Sequence, residues 1–215
     1  MRRRGIRGFD FAGGQSAEPL NLLAKNFCRW GRIGALLLAL AGAGLPGIAG
    51  GQTITEFPIP TSQPVGITTG PDGNLWFVEN DGNRIGRVTT GGSFTEFPLP
   101  SSGSFPALIA AGPDGALWFT ETDAIGGNKI GRITTAGAIT EFSLPTSRSS
   151  PLGITTGPDG ALWFTENVGN RIGRITTAGV ITEFPVLTLL AGPLGIIAGP
   201  DGNLWFSENL SLIHI

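Results

Sequence analysis

Three observations predict an all-β protein, a β-propeller of four-stranded antiparallel blades with about 42 residues per blade. The stretch Gly70-Pro-Asp-Gly-Asn-Leu-Trp-Phe-Val-Glu79 recurs at Gly112–Glu121, Gly157–Glu166 and Gly199–Glu208. Its tryptophans, Trp76, Trp118, Trp163 and Trp205, are 42, 45 and 42 residues apart. A repeat of that period with an aromatic marker is the signature of one blade per repeat. Turn-forming Gly, Pro and Asp also stand at fixed places between short runs of β-branched and aromatic residues, as strands joined by tight turns require.

One repeat, Val65 to Pro98, shows how each element arises. Gly66-Ile-Thr-Thr69 is a short β-branched run suited to a first strand. Gly70-Pro-Asp-Gly73 is a turn: Pro presets φ, Asp bonds to the backbone ahead and Gly accepts a left-handed conformation. Asn74 to Glu79 reads as a second strand, with Leu75 and Phe77 on one face and Trp76 and Val78 on the other. Both faces are apolar, as in a sheet packed between two neighbours. Asn80-Asp-Gly-Asn83 turns again. Arg84-Ile-Gly-Arg-Val-Thr89 is a third strand, in which Gly86 predicts close approach of another backbone. Thr90-Gly-Gly-Ser93 and Phe94-Thr-Glu-Phe-Pro98 supply the last turn and the fourth strand.

The same reading holds for Ala107–Phe142 and Leu152–Pro185. After Glu208 it fails, because Asn-Leu-Ser-Leu-Ile-His-Ile215 replaces the Gly-Asn-Arg-Ile-Gly-Arg pattern. Thr53–Phe57 is an orphan fourth strand in front. Residues 52–209 are therefore expected to form a partial propeller of about 3.5 to 4 blades, and 210–215 an aberrant or truncated tail. A closed propeller takes about 4 to 8 blades. The sequence thus reads as a fragment, and open blade ends would expose apolar faces and strand edges.

Residues 1–51 differ in kind. Seven of the fourteen Lys/Arg lie in this leader, and an uncharged stretch, Ile33 to Ala49, follows the basic segment Lys25–Arg32. A basic segment, an apolar core and small residues near Ala49–Gly51 describe a secretory signal peptide. A retained anchor over residues 33–49 is the competing reading, at the short end of what spans a bilayer. The protein is accordingly expected to be exported, periplasmic or extracellular, with the membrane involved only through this segment. From Gln52 onward seven Lys/Arg face fourteen Asp/Glu, a net charge of −7. That balance, with no basic cluster, argues against nucleic acid as a partner. Cys28 is the only cysteine and lies in the leader, so the body has neither disulfides nor thiol chemistry.

Loop lengths single out one face. The Gly-Pro-Asp-Gly and Thr-Thr-X-Gly turns keep their lengths, whereas Thr122–Gly127 is three residues longer than its counterpart, and Ser101–Phe105, Thr146–Ser150 and Leu187–Gly192 are two longer than the first such link. Links from strand two to three and from strand four to the next strand one open on the same side of an up-and-down blade. A constant scaffold with one variable face suits binding. The starts of the innermost strands, Val65, Ala107, Leu152 and Leu194, should line that face near the central channel. Beside them, at the ends of the second strands, stand Glu79, Glu121, Glu166 and Glu208. Their hard carboxylate oxygens could ligate a metal; equally, each could bind backbone N–H groups or an arginine of its own blade, such as Arg84 or Arg171. Arg87, Arg132 and Arg174 read as struts between blades, the Asp of each Pro-Asp-Gly as a turn former, and the tryptophans as packing between blades.

Gly66-Ile-Thr-Thr-Gly-Pro-Asp-Gly-Asn-Leu-Trp-Phe-Val-Glu79, Gly-Asn-Arg-Ile-Gly-Arg at Gly82–Arg87 and Gly169–Arg174, and Ile-Thr-Glu-Phe-Pro at Ile181–Pro185 resemble the streptogramin B lyase (virginiamycin B lyase) family. The resemblance spans Thr53 to Asn209. It implies a seven-bladed propeller that opens the ester of a cyclic depsipeptide antibiotic by elimination, with Mg²⁺ and a histidine base. Such a metal stabilises enolate-like charge, and a base with pKa near neutrality takes the α-proton. In the family the key histidines stand in Pro-His-(Gly/Ala)-Ile. In this chain those places read Pro64-Val-Gly-Ile, Pro106-Ala-Leu-Ile, Pro151-Leu-Gly-Ile and Pro193-Leu-Gly-Ile, so the glutamates are kept and every histidine is absent. The sole histidine, His214, aligns by spacing with Ile172. No residue of these blades is therefore assigned as catalytic.

Three functions compete. The first is a Mg²⁺-dependent C–O lyase acting on a small cyclic peptide ester in a full-length parent, with these four repeats inactive by themselves. The second is a non-catalytic secreted propeller that binds an extracellular peptide, glycan or protein. A lactone- or ester-hydrolysing propeller ranks last, because the strand starts are apolar.

Overall fold

Strands of five or six residues, each flanked by a turn signal, can satisfy their backbone groups only by pairing with the next strand. The computed structural model describes residues 54, 56–59, 63–122 and 128–209 and the backbone of 213–214. The leader, Thr53 and most of the loop after Thr122 lie outside the described residues. The sheets all belong to one unit, Ile54–Ile215.

Blade 1 consists of β1 (Pro64–Thr69), β2 (Leu75–Glu79), β3 (Arg84–Val88) and β4 (Phe94–Pro98). Blade 2 consists of β5 (Pro106–Ala111), β6 (Ala116–Glu121), β7 (Lys129–Thr134) and β8 (Ile139–Ser143). Blade 3 consists of β9 (Pro151–Thr156), β10 (Leu162–Glu166), β11 (Arg171–Ile175) and β12 (Ile181–Pro185). Each is a four-stranded antiparallel meander in sequence order, the blade architecture that the repeat predicts. The first strand begins two residues earlier than expected, at the proline that precedes Val65.

Blade 4 has β13 (Pro193–Ala198), β14 (Leu204–Glu208) and a short β15 (Ile213–His214). The expectation that the repeat stops at the second strand is corrected by this sheet, since two tail residues pair with β14. Their register also differs from residue counting. His214 lies opposite Phe206, the place that Gly173 takes opposite Phe164, and Ile213 takes the place of Ile172. At the other end, residues 54 and 56–59 form no strand. The Phe57 ring nevertheless covers Gly92, just as Phe97 covers Gly137 and Phe142 covers Gly179. This segment therefore holds the position of a fourth strand belonging to a preceding blade.

The first strands β1, β5, β9 and β13 lie side by side along the inside. Between blades 1 and 2, Trp76, Val78, Ile85 and Leu99 pack on Ile109, Leu117, Phe119 and Ile133. Between blades 2 and 3, Trp118 and Ile130 meet Ile154, Leu162, Phe164 and Ile175. Trp76 and Trp118 thus pack between blades. Trp76, Trp118 and Trp163 each stack on the fourth-strand phenylalanine of their own blade, Phe97, Phe142 and Phe184, at 5.5–5.7 Å between ring centroids.

Two scaffold expectations change. Gly86 is small because the Phe77 ring of the adjacent strand lies over it, not a backbone; Gly131 and Gly173 accommodate Phe119 and Phe164 likewise. The Ile-Gly-Arg arginines act mostly within blades. Arg132 and Arg174 donate to Asp114 and Asp159 of their own Pro-Asp-Gly turns at 2.7 Å, while sitting over Trp118 and Trp163. Only Arg87 reaches the next blade, at the Thr135 carbonyl 3.1 Å away. The turn aspartates do more than form turns, because each also accepts the indole N–H of its blade's tryptophan.

Candidate functional site on the loop face

Short polar side chains tolerate the left-handed backbone region and bond to nearby main chain. Asn83, Asn128 and Asn170, which close the turns between second and third strands, use both properties, with φ of 52°, 47° and 52°. Asn83 donates to the Ser101 carbonyl at 2.7 Å and accepts from Ser104 N–H at 2.8 Å. Asn128 makes the same pair of bonds with Thr146 and Ser149, and Asn170 with Thr188 and Gly192. Each asparagine therefore ties a turn to the link that enters the next blade, so the two loop families share one face, as their lengths predicted. In the sequence these residues look like ordinary turn formers; the signal of their role is Asn in the same place of each Gly-Asn-(Arg/Lys).

On this face the first strands begin with a bulge. The antiparallel register slips between Pro64 and Ile67, and again between Pro106 and Ile109 and between Pro193 and Ile196; β9 slips at the same place. Val65, Ala107, Leu152 and Leu194 sit inside these bulges, which re-aim the chain at a sheet rim. Val65 and Leu194 are exposed, while Ala107 and Leu152 are half-buried. Leu108 is a further apolar residue of the rim, half-exposed in a place that is Gly in the other three blades, with its side chain against Gly66. The residue before each proline, Gln63, Phe105, Ser150 or Gly192, has φ between 47° and 54°. That conformation is disfavoured before proline. It turns the carbonyls of Gln63, Phe105 and Ser150 toward the N–H groups of Asn80, Thr122 and Asn167, which fixes the rim.

Glu79, Glu121, Glu166 and Glu208 lie one per blade beside these starts, opposite Pro64, Pro106, Pro151 and Pro193. They are buried, the first three completely. Burial raises the pKa of Glu121 and Glu166 to about 7; Glu141 and Glu183 push the same way, while Ser104 and Ser149 pull against them. In blade 4 the serine is replaced by the buried Ala191. The arginines offered as partners for these glutamates face fourth-strand carboxylates, though the charge of Arg171 still acts on Glu166. Arg84 meets Glu96 at 2.5 Å, Lys129 meets Glu141 at 2.8 Å, and Arg171 lies 4.0 Å from Glu183. Those fourth-strand carboxylates also grip the incoming link: Glu141 accepts from Ser101, and Glu183 from Thr146. Among the described residues no three His, Cys, Asp or Glu side chains converge as a metal site. The arrangement offers apolar surface with the buried carboxyls of Glu121 and Glu166 beside it, and among the described residues no histidine stands at a first-strand start.

The struts that do cross between blades carry no mark in the repeat pattern. Thr120 Oγ1 donates to the Leu152 carbonyl at 2.9 Å, and Thr165 Oγ1 to the Leu194 carbonyl at 2.7 Å. Asn80 and Asn167 donate to the Pro106 and Pro193 carbonyls. These bonds end on the candidate rim residues and their prolines, and so hold each strand start in place from the preceding blade.

Comparison with known proteins follows the same lines. The model of the virginiamycin B lyase family matches residues 45–212. A virginiamycin B lyase from Bordetella parapertussis is 44% identical over 55 residues, which are 25% of this chain and 18% of that one. The selenomethionine-substituted virginiamycin B lyase from Staphylococcus aureus superposes with a TM-score of 0.69 at 49% identity, covering 74% of this chain and 58% of that chain. A catalytically inactive histidine-to-alanine form of the S. aureus enzyme with quinupristin gives 0.67 at 50% identity, covering 74% and 56%. The chain thus spans less than a fifth of that curated relative and somewhat over half of those solved chains.

Proposed function

Because this chain belongs to the virginiamycin B lyase family, we propose that its blades are part of an exported propeller whose loop face receives a cyclic depsipeptide antibiotic. The proportion supports the reading: four sheets correspond to 58% of the S. aureus chain, as four of seven blades would. The observation that carries the proposal is the rim itself, where bulges at the starts of neighbouring first strands place the four apolar residues Val65, Ala107, Leu152 and Leu194. An apolar rim held by hydrogen bonds to its backbone suits the body of a hydrophobic cyclic peptide.

These residues would bind and orient the ring. They would not open it. The inactive relative that carries quinupristin lacks a histidine, and the strand starts of these blades have none. The implied magnesium ion also does not fit the glutamates as placed. Mg²⁺ demands near-octahedral oxygen ligands and keeps several waters, whereas each of these carboxyls is shut inside its own blade. Base and metal ligands would come from residues beyond these blades, and no step is assigned to Glu79, Glu121, Glu166 or Glu208.

The test is titration of the chain with quinupristin, followed by chromatography and fragmentation of the ligand after incubation with Mg²⁺. Elimination leaves the mass of the ring unchanged, whereas hydrolysis adds a water, so retention and fragments are needed as well as mass. Saturable binding with an intact ring is the expected result. Absence of binding would reject the antibiotic reading in favour of a propeller that binds a different extracellular peptide or glycan. An opened ring would reject the assignment of the base to other residues.

A further inference from the structure

We propose that Asp81–Gly82, in the turn between β2 and β3, is a site of spontaneous covalent rearrangement, where the backbone passes from an aspartyl to an isoaspartyl link. The inference is independent of the lyase reading. It starts from sequence: Asp-Gly occurs five times, at Asp72, Asp81, Asp114, Asp159 and Asp201. Glycine has no Cβ, so its nitrogen is open to the side chain of the residue before it. The sequence thus holds five comparable sites, and the fold singles out one.

The rearrangement is a condensation within the chain. The Gly82 backbone nitrogen attacks Cγ of the neutral Asp81 carboxyl. The N–Cγ bond forms, the bond from Cγ to the hydroxyl breaks, and the hydroxyl leaves as water with the amide proton. Water then opens the resulting cyclic imide. Opening at Cγ restores aspartate; opening at the main-chain carbonyl leaves Gly82 joined through Cγ. No atom is gained or lost in sum, and nothing is oxidised or reduced. Ring closure needs a carboxyl free to turn back and an N–H that is not the donor of a bond the turn depends on.

Four of the sites meet neither condition. In the Gly-Pro-Asp-Gly turns the reacting N–H is itself the closing donor: Gly73, Gly115, Gly160 and Gly202 donate to the carbonyls of Gly70, Gly112, Gly157 and Gly199 at 3.0–3.3 Å. Each carboxylate is held forward by the indole N–H of its tryptophan and by the backbone N–H two residues ahead. Arg132 and Arg174 hold Asp114 and Asp159 as well. The turn Asn80–Asn83 is built differently. Asn83 N–H closes it on the Asn80 carbonyl at 3.3 Å, and Gly82 stands inside the turn with its N–H outside that bond. Asp81 is exposed and, among the described residues, makes no hydrogen bond or ion pair.

The change acts on the loop face. Both ends of this turn are anchored. Asn80 donates to the Gln63 carbonyl with its N–H and to the Pro106 carbonyl with its side chain. Asn83 donates to the Ser101 carbonyl and accepts from the N–H groups of Ser104 and Leu99. An isoaspartyl link inserts one further carbon into the main chain between these anchors. The lengthened turn cannot satisfy all of them together, so the link over residues 99–105 and the start of β5 loosen.

The test incubates the 215-residue chain at neutral pH in water enriched in heavy oxygen, folded and in guanidinium chloride. Chymotryptic peptides separate the five sites, and electron-transfer fragmentation distinguishes isoaspartate from aspartate. In denaturant all five should take up heavy oxygen at comparable rates. In the folded chain Asp81 should keep nearly that rate, while the other four slow by about tenfold or more, since each must first break its closing bond and release its carboxyl. Asp81→Glu should abolish the signal at this turn, because its ring would need a further carbon. Amide hydrogen exchange over residues 99–105 should be faster in the purified isoaspartyl form than in the fresh chain. Asp81 reacting as slowly as the four turn sites, or any of those reacting as fast as Asp81, overturns the proposal. Unchanged exchange over residues 99–105 overturns its effect on the loop face.

Discussion

The Thr165 hydroxyl donates to the Leu194 carbonyl at 2.7 Å and accepts from Gly153 N–H at 2.9 Å, so one side chain joins blade 3 to blade 4 at the rim. Thr120 does the same between blades 2 and 3, while blade 1 has Val78 in that place. Substituting Thr165 by Val should destabilise by about 1–3 kcal/mol, because the change leaves the buried Gly153 N–H and the half-buried Leu194 carbonyl without this partner. Val78→Thr should be neutral to stabilising, by up to about 1 kcal/mol, if the new hydroxyl finds the equivalent bonds. Chemical denaturation of the three proteins measures both effects. Equal loss from both substitutions would show that the hydroxyl does not act as a strut.

A second prediction concerns Asp114. It accepts from the indole of Trp118 at 3.1 Å and from Arg132 at 2.7 Å, and Trp118 is fully buried. Asp114→Ala leaves that N–H without a partner and should cost about 1–3 kcal/mol. Asp201→Ala should cost less, because Trp205 is only partly buried and its N–H can turn to water. Thermal melts of the two variants should keep this order.

Stability should depend on pH through Glu121 and Glu166. Their pKa values rise from 4.5 to about 7 on folding. The folded chain therefore holds protons that the unfolded chain has released, and stability falls as pH rises from about 4.5 toward 7. Each group accounts for up to ~3 kcal/mol of that loss. Glu121→Gln should flatten the slope, and Glu121→Gln with Glu166→Gln should remove most of it. Asp114 acts in the opposite sense. Burial alone would raise it, but the Trp118 N–H and Arg132 hold it below the usual range, so its contribution is lost as pH falls below about 4. Unfolding free energies between pH 4 and 8 test the profile, and a flat wild-type curve would reject it.

At the rim, Leu152→Asp should weaken quinupristin binding by about tenfold or more, the equivalent of ~1.4 kcal/mol. A charge there opposes burial of an apolar ring. The residue is half-buried and its carbonyl, not its side chain, receives the Thr120 bond, so the fold should persist. Calorimetric titration of both proteins gives the ratio. Unchanged affinity would place the ligand elsewhere.

Much of the fold was legible because a propeller repeats its physics. Gly-Pro-Asp-Gly had to turn, the Trp-Phe strand had to be buried on both faces, and the period had to place one such strand in every blade. Loop lengths identified the variable face without coordinates. Residue partners were less legible. Arg132 and Arg174 looked like struts because they recur, but recurrence does not say which blade an arginine faces. The distance to Asp114 or Asp159 decides that. Thr120 and Thr165 looked like ordinary strand residues, since the carbonyls they join lie 32 and 29 residues away.

By itself the sequence determined the blade, its four strands, the apolar strand starts and the absence of histidine beside each glutamate. Those follow from local pattern: side-chain alternation, turn chemistry and residue identity. Tertiary structure decided what the glutamates are. Packed inside their blades, they are shut away from water, which drives Glu121 and Glu166 toward neutrality, and burial is a property of neighbours that no single repeat contains.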